Sequence, residues 1–340
     1  MTRTSRSAGF SIAELAVAST IFLGLVLLVS TLALSGSEAQ DLGRRISHMT
    51  EMAQEATDRI RLEMISSVRV FCDDTDGNAN LAAIDLGTAP PPIAVRRLPK
   101  LDVDGTFRAD TAGDEITGNA LFYAHLAWRD RFRCASGNEY LVDVYRWAHY
   151  YLSPKDGGPR RGQRGGLDLV HFVSEPLLDA TAIDHITDPA DHAEVLLHLK
   201  NRTPDVEGQV HPGAQVVWLR GGDPTATGTF RQIETDGTLG DAPAAGRPNP
   251  WRIVSAEDRT AGLLSYRRGS VASNYDIVAP GVTRFAVRND AAGFPHGFEV
   301  QFIGQTSSRQ LLLHLVMVDM TRKGPLAWSQ VQTVINCKDR

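Results

Sequence analysis

Glu14 stands alone among uncharged residues. The local string is Gly9-Phe10-Ser11-Ile12-Ala13-Glu14-Leu15, and no charge follows until Glu38. A carboxylate placed in such a run costs on the order of 2–3 kcal/mol on insertion scales, and residues of this kind are functional candidates by default. It needs a positive partner, and the string supplies one. A cut after Gly9 would give Phe10 a free amino group able to pair with Glu14 of a neighbouring copy. The segment before the cut, Met1 to Gly9, carries Arg3 and Arg6 and no acid.

The remaining chemistry-bearing residues are fewer. Cys72, Cys134 and Cys337 are the 3 cysteines. An odd number allows at most one internal disulfide and leaves one free thiol. Cys72–Cys134 is the expected pair, since the end of a long helix and the first hairpin loop should lie close; Cys134–Cys337 is the alternative. Closing ~60 residues would stabilise by about 4 kcal/mol. Asp74, Asp76, Asn78, Asn80 and Asp85 fall at the spacing of a calcium loop. Ala79, however, occupies the place where the sharp turn takes Gly, and Asp85 replaces the bidentate Glu, so a solvated loop is the expectation. His171, His185, His192 and His198 form no ligand spacing. Arg160, Arg161 and Arg164 lie among glycines, but a formal net charge of -5 opposes polyanion binding, and no nucleic-acid partner is expected. No GxSxG, Walker A or GxGxxG string occurs, so the chain reads as a non-enzyme without a cofactor.

These residues must be positioned by a membrane segment and a folded head. At a rise of roughly 1.5 Å per residue, Leu15 to Ser37 crosses a hydrocarbon core of roughly 30 Å. Arg3 and Arg6 place the N-terminus in the cytoplasm and the remainder outside. Behind the apolar run, Leu42, Ile46, Met49, Ala53, Ala56 and Ile60 form a single apolar stripe that extends through Met64 and Val68. One helix from Phe10 to about Val68 is predicted, with Gly36 and Gly43 as its weak points. Ala120–Trp128 and Glu139–Leu152 read as two strands joined through Gly137-Asn138. Leu167–Val173, Val282–Arg288, Gly297–Ile303 and Leu311–Met320 read as further strands, and Ala190–Lys200 as a short helix. Residues 201–251, rich in Gly, Pro, Thr and Asp, read as an insertion with long loops. The expected fold class is therefore α+β: a long N-terminal helix (10–37 in the membrane, 38–70 amphipathic) on an antiparallel sheet head (71–340).

The N-terminal string resembles the signal of type IV pilins and pseudopilins, with a short basic leader ending in Gly, then Phe, then Glu fifth in the mature chain. Short stretches of the head, such as Tyr145–Ser153, Gly166–Ser174 and Ala279–Arg288, are similar to large PilW-like minor pilins and to J-type minor pseudopilins of type II secretion. The head departs from that pattern in its long insertion and in lacking an aromatic soon after Asn289. The resemblance implies cleavage between Gly9 and Phe10 by a prepilin peptidase that also methylates Phe10. It further implies residence in the inner membrane, contact with an assembly platform, and incorporation beside major and minor pilins through Glu14. A large head implies a place at the tip or in initiation. The alternatives are a minor pseudopilin and a tip adhesin or DNA-uptake pilin.

Overall fold

In the computed structural model, the apolar run and the stripe behind it form one helix, α1 (Ile12–Ile65). The structure describes residues 11–82, 84, 86, 89–107, 115–154, 166–211, 213–214, 216–218, 230–240, 263–264, 269–273, 294, 296–305, 308–319 and 327–337. Phe10 and the predicted strand Val282–Arg288 lie outside them. At 54 residues α1 is roughly 80 Å long. It passes through Gly36 and Gly43 without a break, and every residue from Ser11 to Asp41 is exposed. Its buried stripe is Met49, Met52, Ala53, Ala56, Thr57, Ile60 and Met64. The helix ends three residues before the expected Val68. Ser66 caps it, and Ser67-Val68-Arg69-Val70-Phe71 leaves as strand β1 (Ser67–Phe71) to pair antiparallel with the strand that begins at Ala120. The β-branched and aromatic residues there suit a pleated, half-buried surface better than a fourth helical turn.

The chain continues through α2 (Thr75–Ala82), β2 (Leu101–Asp102), β3 (Ala120–Arg133), β4 (Glu139–Pro154), β5 (Gly166–Val173), β6 (Leu177–Asp179), α3 (Ala180–Ile183) and α4 (Pro189–Asn201). It ends with β7 (Val216–Trp218), β8 (Phe230–Gln232), β9 (Leu263–Leu264), β10 (Gly269–Ala272), β11 (Phe298–Ile303), β12 (Gln310–Asp319) and β13 (Trp328–Asn336). All the described strands belong to one sheet, antiparallel except where β2 joins β11 and β7 joins β6. Its main path runs β2-β11-β12-β10-β5-β4-β6-β7-β8, with β3 and β1 branching from β4 and β13 from β12. The class is mixed α+β: a long apolar N-terminal helix and a large, mostly antiparallel sheet.

Period-two alternation assigns the side chains to layers. Leu121 and Tyr123 of β3, Ala148, Tyr150 and Leu152 of β4, and Leu311, Leu313 and Leu315 of β12 face the stripe of α1. Phe122, Trp147, Tyr151 and Phe172 face the other way and form an aromatic core with Phe71, Trp218 and Phe230. A register shift in the β3–β4 pairing between Leu126 and Trp128 separates these layers from the hairpin's far end. There Phe132, Val142 and Val144 pack with Ile183, Val195, Leu196 and Val217 in a third cluster. The segment expected to be a loop-rich insertion thus contributes two strands, β7 and β8, to the sheet and two aromatic rings to its outer core.

Candidate functional site: the N-terminal helix and its seat

Gly9 and Phe10 lie outside the described residues, so the site begins at Ser11. Ser11 is the N-cap of α1, and Glu14 is the third helical residue. The Glu14 backbone N–H donates to Ser11 Oγ at 3.2 Å, while Glu14 Oε2 accepts from the Ser11 backbone N–H at 3.0 Å. This reciprocal pair is a capping box, which satisfies two helix-end donors and sets an acid at the positive end of the helix dipole. The Ser-x-x-Glu spacing is its sequence signature, and reading Glu14 only as a lone charge overlooks it. Glu14 is exposed, as is the whole apolar face beyond it: Leu15, Phe22, Leu27, Leu32 and Leu34 each show more than half of their surface. An 18-residue window of this helix reaches a mean hydropathy of 2.4 with none of it buried by the protein. The length and composition suit a membrane anchor or signal segment.

Besides its buried apolar stripe, one carboxylate ties the second half of α1 to the sheet. Glu63 Oε2 accepts from the Tyr123 hydroxyl at 2.5 Å and from the Tyr150 hydroxyl at 3.1 Å, and lies 3.1 Å from His171 Nε2. These three groups come from β3, β4 and β5, so a single side chain joins the helix to three adjacent strands. On the helix side Arg59 approaches Glu63 Oε1 at 3.5 Å. The rings are themselves aligned, with Tyr150 stacked on His171 at 4.3 Å and on Tyr123 at 6.4 Å between centroids. Burial alone would push the Glu63 carboxyl up. His171 and the Tyr123 hydroxyl overcome that and hold it down at about 2. The Tyr123 hydroxyl is driven well above its ordinary range, first by burial and then by Tyr150 and Glu63. Nothing local in the sequence marks this cluster, since Glu63 is separated by 60 residues from Tyr123 and by 87 from Tyr150. The signal available was a carboxylate one position before a buried Met in an amphipathic stripe.

The cysteines correct one expectation. Cys72, Cys134 and Cys337 are all free and buried, and neither Cys72–Cys134 nor Cys134–Cys337 is formed. Cys72 and Cys337 belong to the layer under α1, whereas Cys134 sits in the cluster at the far end of the β3–β4 hairpin. Helix α1 ends beside the middle of β3, so the hairpin loop is carried away from it along the rest of that strand. Burial pushes the Cys72 and Cys337 thiols up to about 12 and that of Cys134 up to about 11, leaving them protonated and unreactive at neutral pH.

The candidate calcium residues do not converge either. Asp74 to Asn80 enter α2, where residues two apart point to different sides. Each is already engaged. Asp74 Oδ1 accepts from the Gly77 N–H at 2.7 Å, Asp76 pairs with Arg69 and accepts from Asn80, and Asn78 donates to Asp73 at 2.8 Å. The fifth residue, Asp85, lies outside the described residues. A close approach replaces the loop: a Cβ at Gly77 would sit 2.0 Å from the Cys72 carbonyl oxygen, so α2 can fold back on the end of β1 only with glycine there.

Of the histidines singled out above, His171 joins the Glu63 seat. His198 stacks on Phe132 at 5.0 Å and lies 3.7 Å from Glu194, and His185 packs against Tyr140 at 6.1 Å. A further cluster absent from the sequence reading docks α4 on the hairpin tip. Asp191 Oδ2 accepts from Ser136, Asn138 and Tyr140, and the Glu194 carboxylate accepts from the Ala135 N–H. A scan against family models, a search of curated proteins and a search of solved structures each find no match to this chain.

Proposed function

We propose that this chain is a minor subunit of a type IV pilus, cut between Gly9 and Phe10, methylated at Phe10, and anchored in the inner membrane until it is drawn into the fibre. The observation that carries the reading is the exposed apolar half of α1, with one carboxylate in its first turn and no covering from the head. A contiguous apolar surface of that extent calls for lipid or neighbouring helices around it. The head supports the same reading. Its sheet grips only the distal half of the helix, leaving the proximal half free to pack in a bundle. In that bundle the capping-box carboxylate of Glu14 would exchange the Ser11 amide for the Phe10 amine of an adjacent subunit. Removing one partner from such a buried pair costs about 3–5 kcal/mol. The bulky head suits initiation or the tip, where nothing stacks above it.

N-terminal sequencing and mass analysis of the membrane-extracted protein test the processing step. The expected mature chain begins with methylated Phe10, and Gly9→Arg remains uncut; a wild-type chain still beginning at Met1 would overturn the proposal. Glu14→Ala is expected to be processed normally but to be depleted at least about tenfold from sheared fibres, in line with that energetic cost. A deletion strain separates the machines that use such subunits. Lost fibres indicate the pilus, and lost export with fibres intact indicates a type II secretion pseudopilin.

A further inference from the structure

We propose that His149 and the segment 89–98 form an acid-released clasp: the segment seals an uncharged imidazole into the outer core at neutral pH and lifts away when the ring takes a proton. This is a property of the head and does not depend on the filament reading. His149 is 0% exposed, and neither ring nitrogen meets a hydrogen-bond partner among the described residues. A neutral imidazole carries its proton on one nitrogen and a lone pair on the other, so a donor and an acceptor are both buried unmet. Register sets the ring between Phe122 of β3 and Phe172 of β5. It stacks on Tyr151 at 4.7 Å and meets Phe122 edge-on at 5.8 Å between centroids. An uncharged ring suits these aromatic surroundings. A charged one, buried without an acceptor, does not.

The segment that crosses this face is lightly held. Pro90, Pro91 and Pro92 have no N–H to give, and the stretch joins no strand. The Tyr151 hydroxyl donates to the Pro90 carbonyl and the Ser153 hydroxyl to the Pro91 carbonyl, each at 2.7 Å, and the Ile93 N–H donates to the Leu152 carbonyl at 3.0 Å. Further on, the Arg97 N–H donates to Asn119 Oδ1 at 2.8 Å, and Leu98 is buried with Phe122, Trp147 and Tyr151. Water can reach His149 by lifting this segment or by breaking the β3–β4 ladder, which runs from Ala120–Tyr151 to Arg133–Glu139. Lifting breaks far fewer hydrogen bonds, and local openings of that kind lie lowest in free energy. The neighbouring charges favour the same outcome. Burial first, then Arg96 of the segment, then His171 on the α1 side hold the imidazole well below its ordinary 6.5. Tyr151, pushed up by burial, stays neutral. Asp168, the acid on the same face of β5, stands opposite Ser153, about 13 Å along β4 from His149. A charged His149 therefore meets repulsion from Arg96 and no compensating acid on its own face among the described residues.

Above about pH 6.5 the ring is neutral in both forms; below it only the opened form takes the proton, so opening grows as pH falls. Between pH 7.5 and pH 5 the opened fraction should rise about thirtyfold. Hydrogen exchange at the Ile93 and Arg97 amides of the full-length protein in detergent micelles measures this, after correction for intrinsic exchange rates. Tyr151→Phe removes one clasping hydroxyl and should raise opening equally at every pH, whereas His149→Phe should abolish the pH dependence. The window separates this effect from Glu63, whose loss lies below about pH 4.5. Position separates it from His125, which burial also lowers but which lies beside Tyr123 at 5.9 Å, on the α1 side. A pH response in His149→Phe equal to that of the wild type, or protection of both amides unchanged down to pH 5, would overturn the proposal. So would NMR titration of the wild-type His149 ring near 6.5 with the segment still closed, a result that needs no variant.

Discussion

Glu63→Ala should destabilise the folded head by about 3–5 kcal/mol, the range expected when one partner of a buried charged cluster is removed. Two tyrosine hydroxyls and a histidine from three strands converge on this carboxylate, and alanine would leave the hydroxyls beneath the helix without their acceptor and the imidazole without its charged neighbour. The loss should appear as a lower urea midpoint with faster proteolysis in the second half of α1. Glu63→Gln should cost less, since an amide oxygen can still accept from Tyr123. A wild-type midpoint in Glu63→Ala would show that apolar packing alone seats the helix. The same group sets an acid limit. Its carboxyl lies below the ordinary 4.5, at about 2, so the unfolded chain binds the extra proton first as pH falls. The stabilisation is complete above about pH 4.5, declines through the interval below it, and is gone beneath pH 2. A shift of this size is linked to roughly 3 kcal/mol. The groups facing Glu63 are Tyr123, Tyr150, His171, His125 and Arg59, and the difference between wild type and Glu63→Gln isolates its share. Parallel pH curves for the two proteins would remove the carboxylate from the account.

Trp147→Ala should cost a similar amount, about 3–5 kcal/mol, for a different reason. Trp147 is fully buried at the centre of the outer core, with ring centroids 5.3 Å from Phe122, 5.7 Å from Phe71, 5.7 Å from Trp218 and 5.0 Å from Phe230. Two of these partners belong to β7 and β8, so the cavity left by alanine would loosen the very segment that the sequence marks as an insertion. Limited proteolysis should therefore cut near residues 216–232 before the remainder of the head. Trp147→Phe should recover most of the loss: it keeps a ring in place, and it deletes an indole N–H that is buried without an acceptor among the described residues. Equal destabilisation by Ala and Phe would show that the indole itself, and not the filled volume, is what the core requires.

Much of the architecture was legible in the chain because it is local. Apolar periodicity located the long helix and its buried stripe. Alternation and the Gly137-Asn138 turn located the β3–β4 hairpin, and Asp188-Pro189 opened α4 where it was expected. Strands β5, β11 and β12 also stand within a residue or two of their predicted spans. Other elements were misread or missed, and three of them show why. Residues 75–82 look like a polar loop by composition, and they become helical because Asp74 caps their amides and Gly77 allows contact with Cys72. Strand β13 alternates cleanly from Trp328 to Asn336, a signal that was present and overlooked. The end of α1 was set by pairing with β3, which outweighed a helical period that could have continued to Val68.

By itself, the sequence determined a long helix preceded by a basic segment, uncharged through its first half except for a single acid in its first turn, and a strand-rich domain behind it. Each follows from hydropathy, charge and spacing within a few helical turns. Only the tertiary structure decided which distant groups meet. It brought Glu63 to Tyr123, Tyr150 and His171, placed His149 between Phe122 and Phe172, kept the three cysteines unpaired, and drew β7 and β8 into the sheet. Such meetings depend on sheet order and register, and these are fixed by the packing of side chains far apart in the chain. No local pattern of residues encodes them.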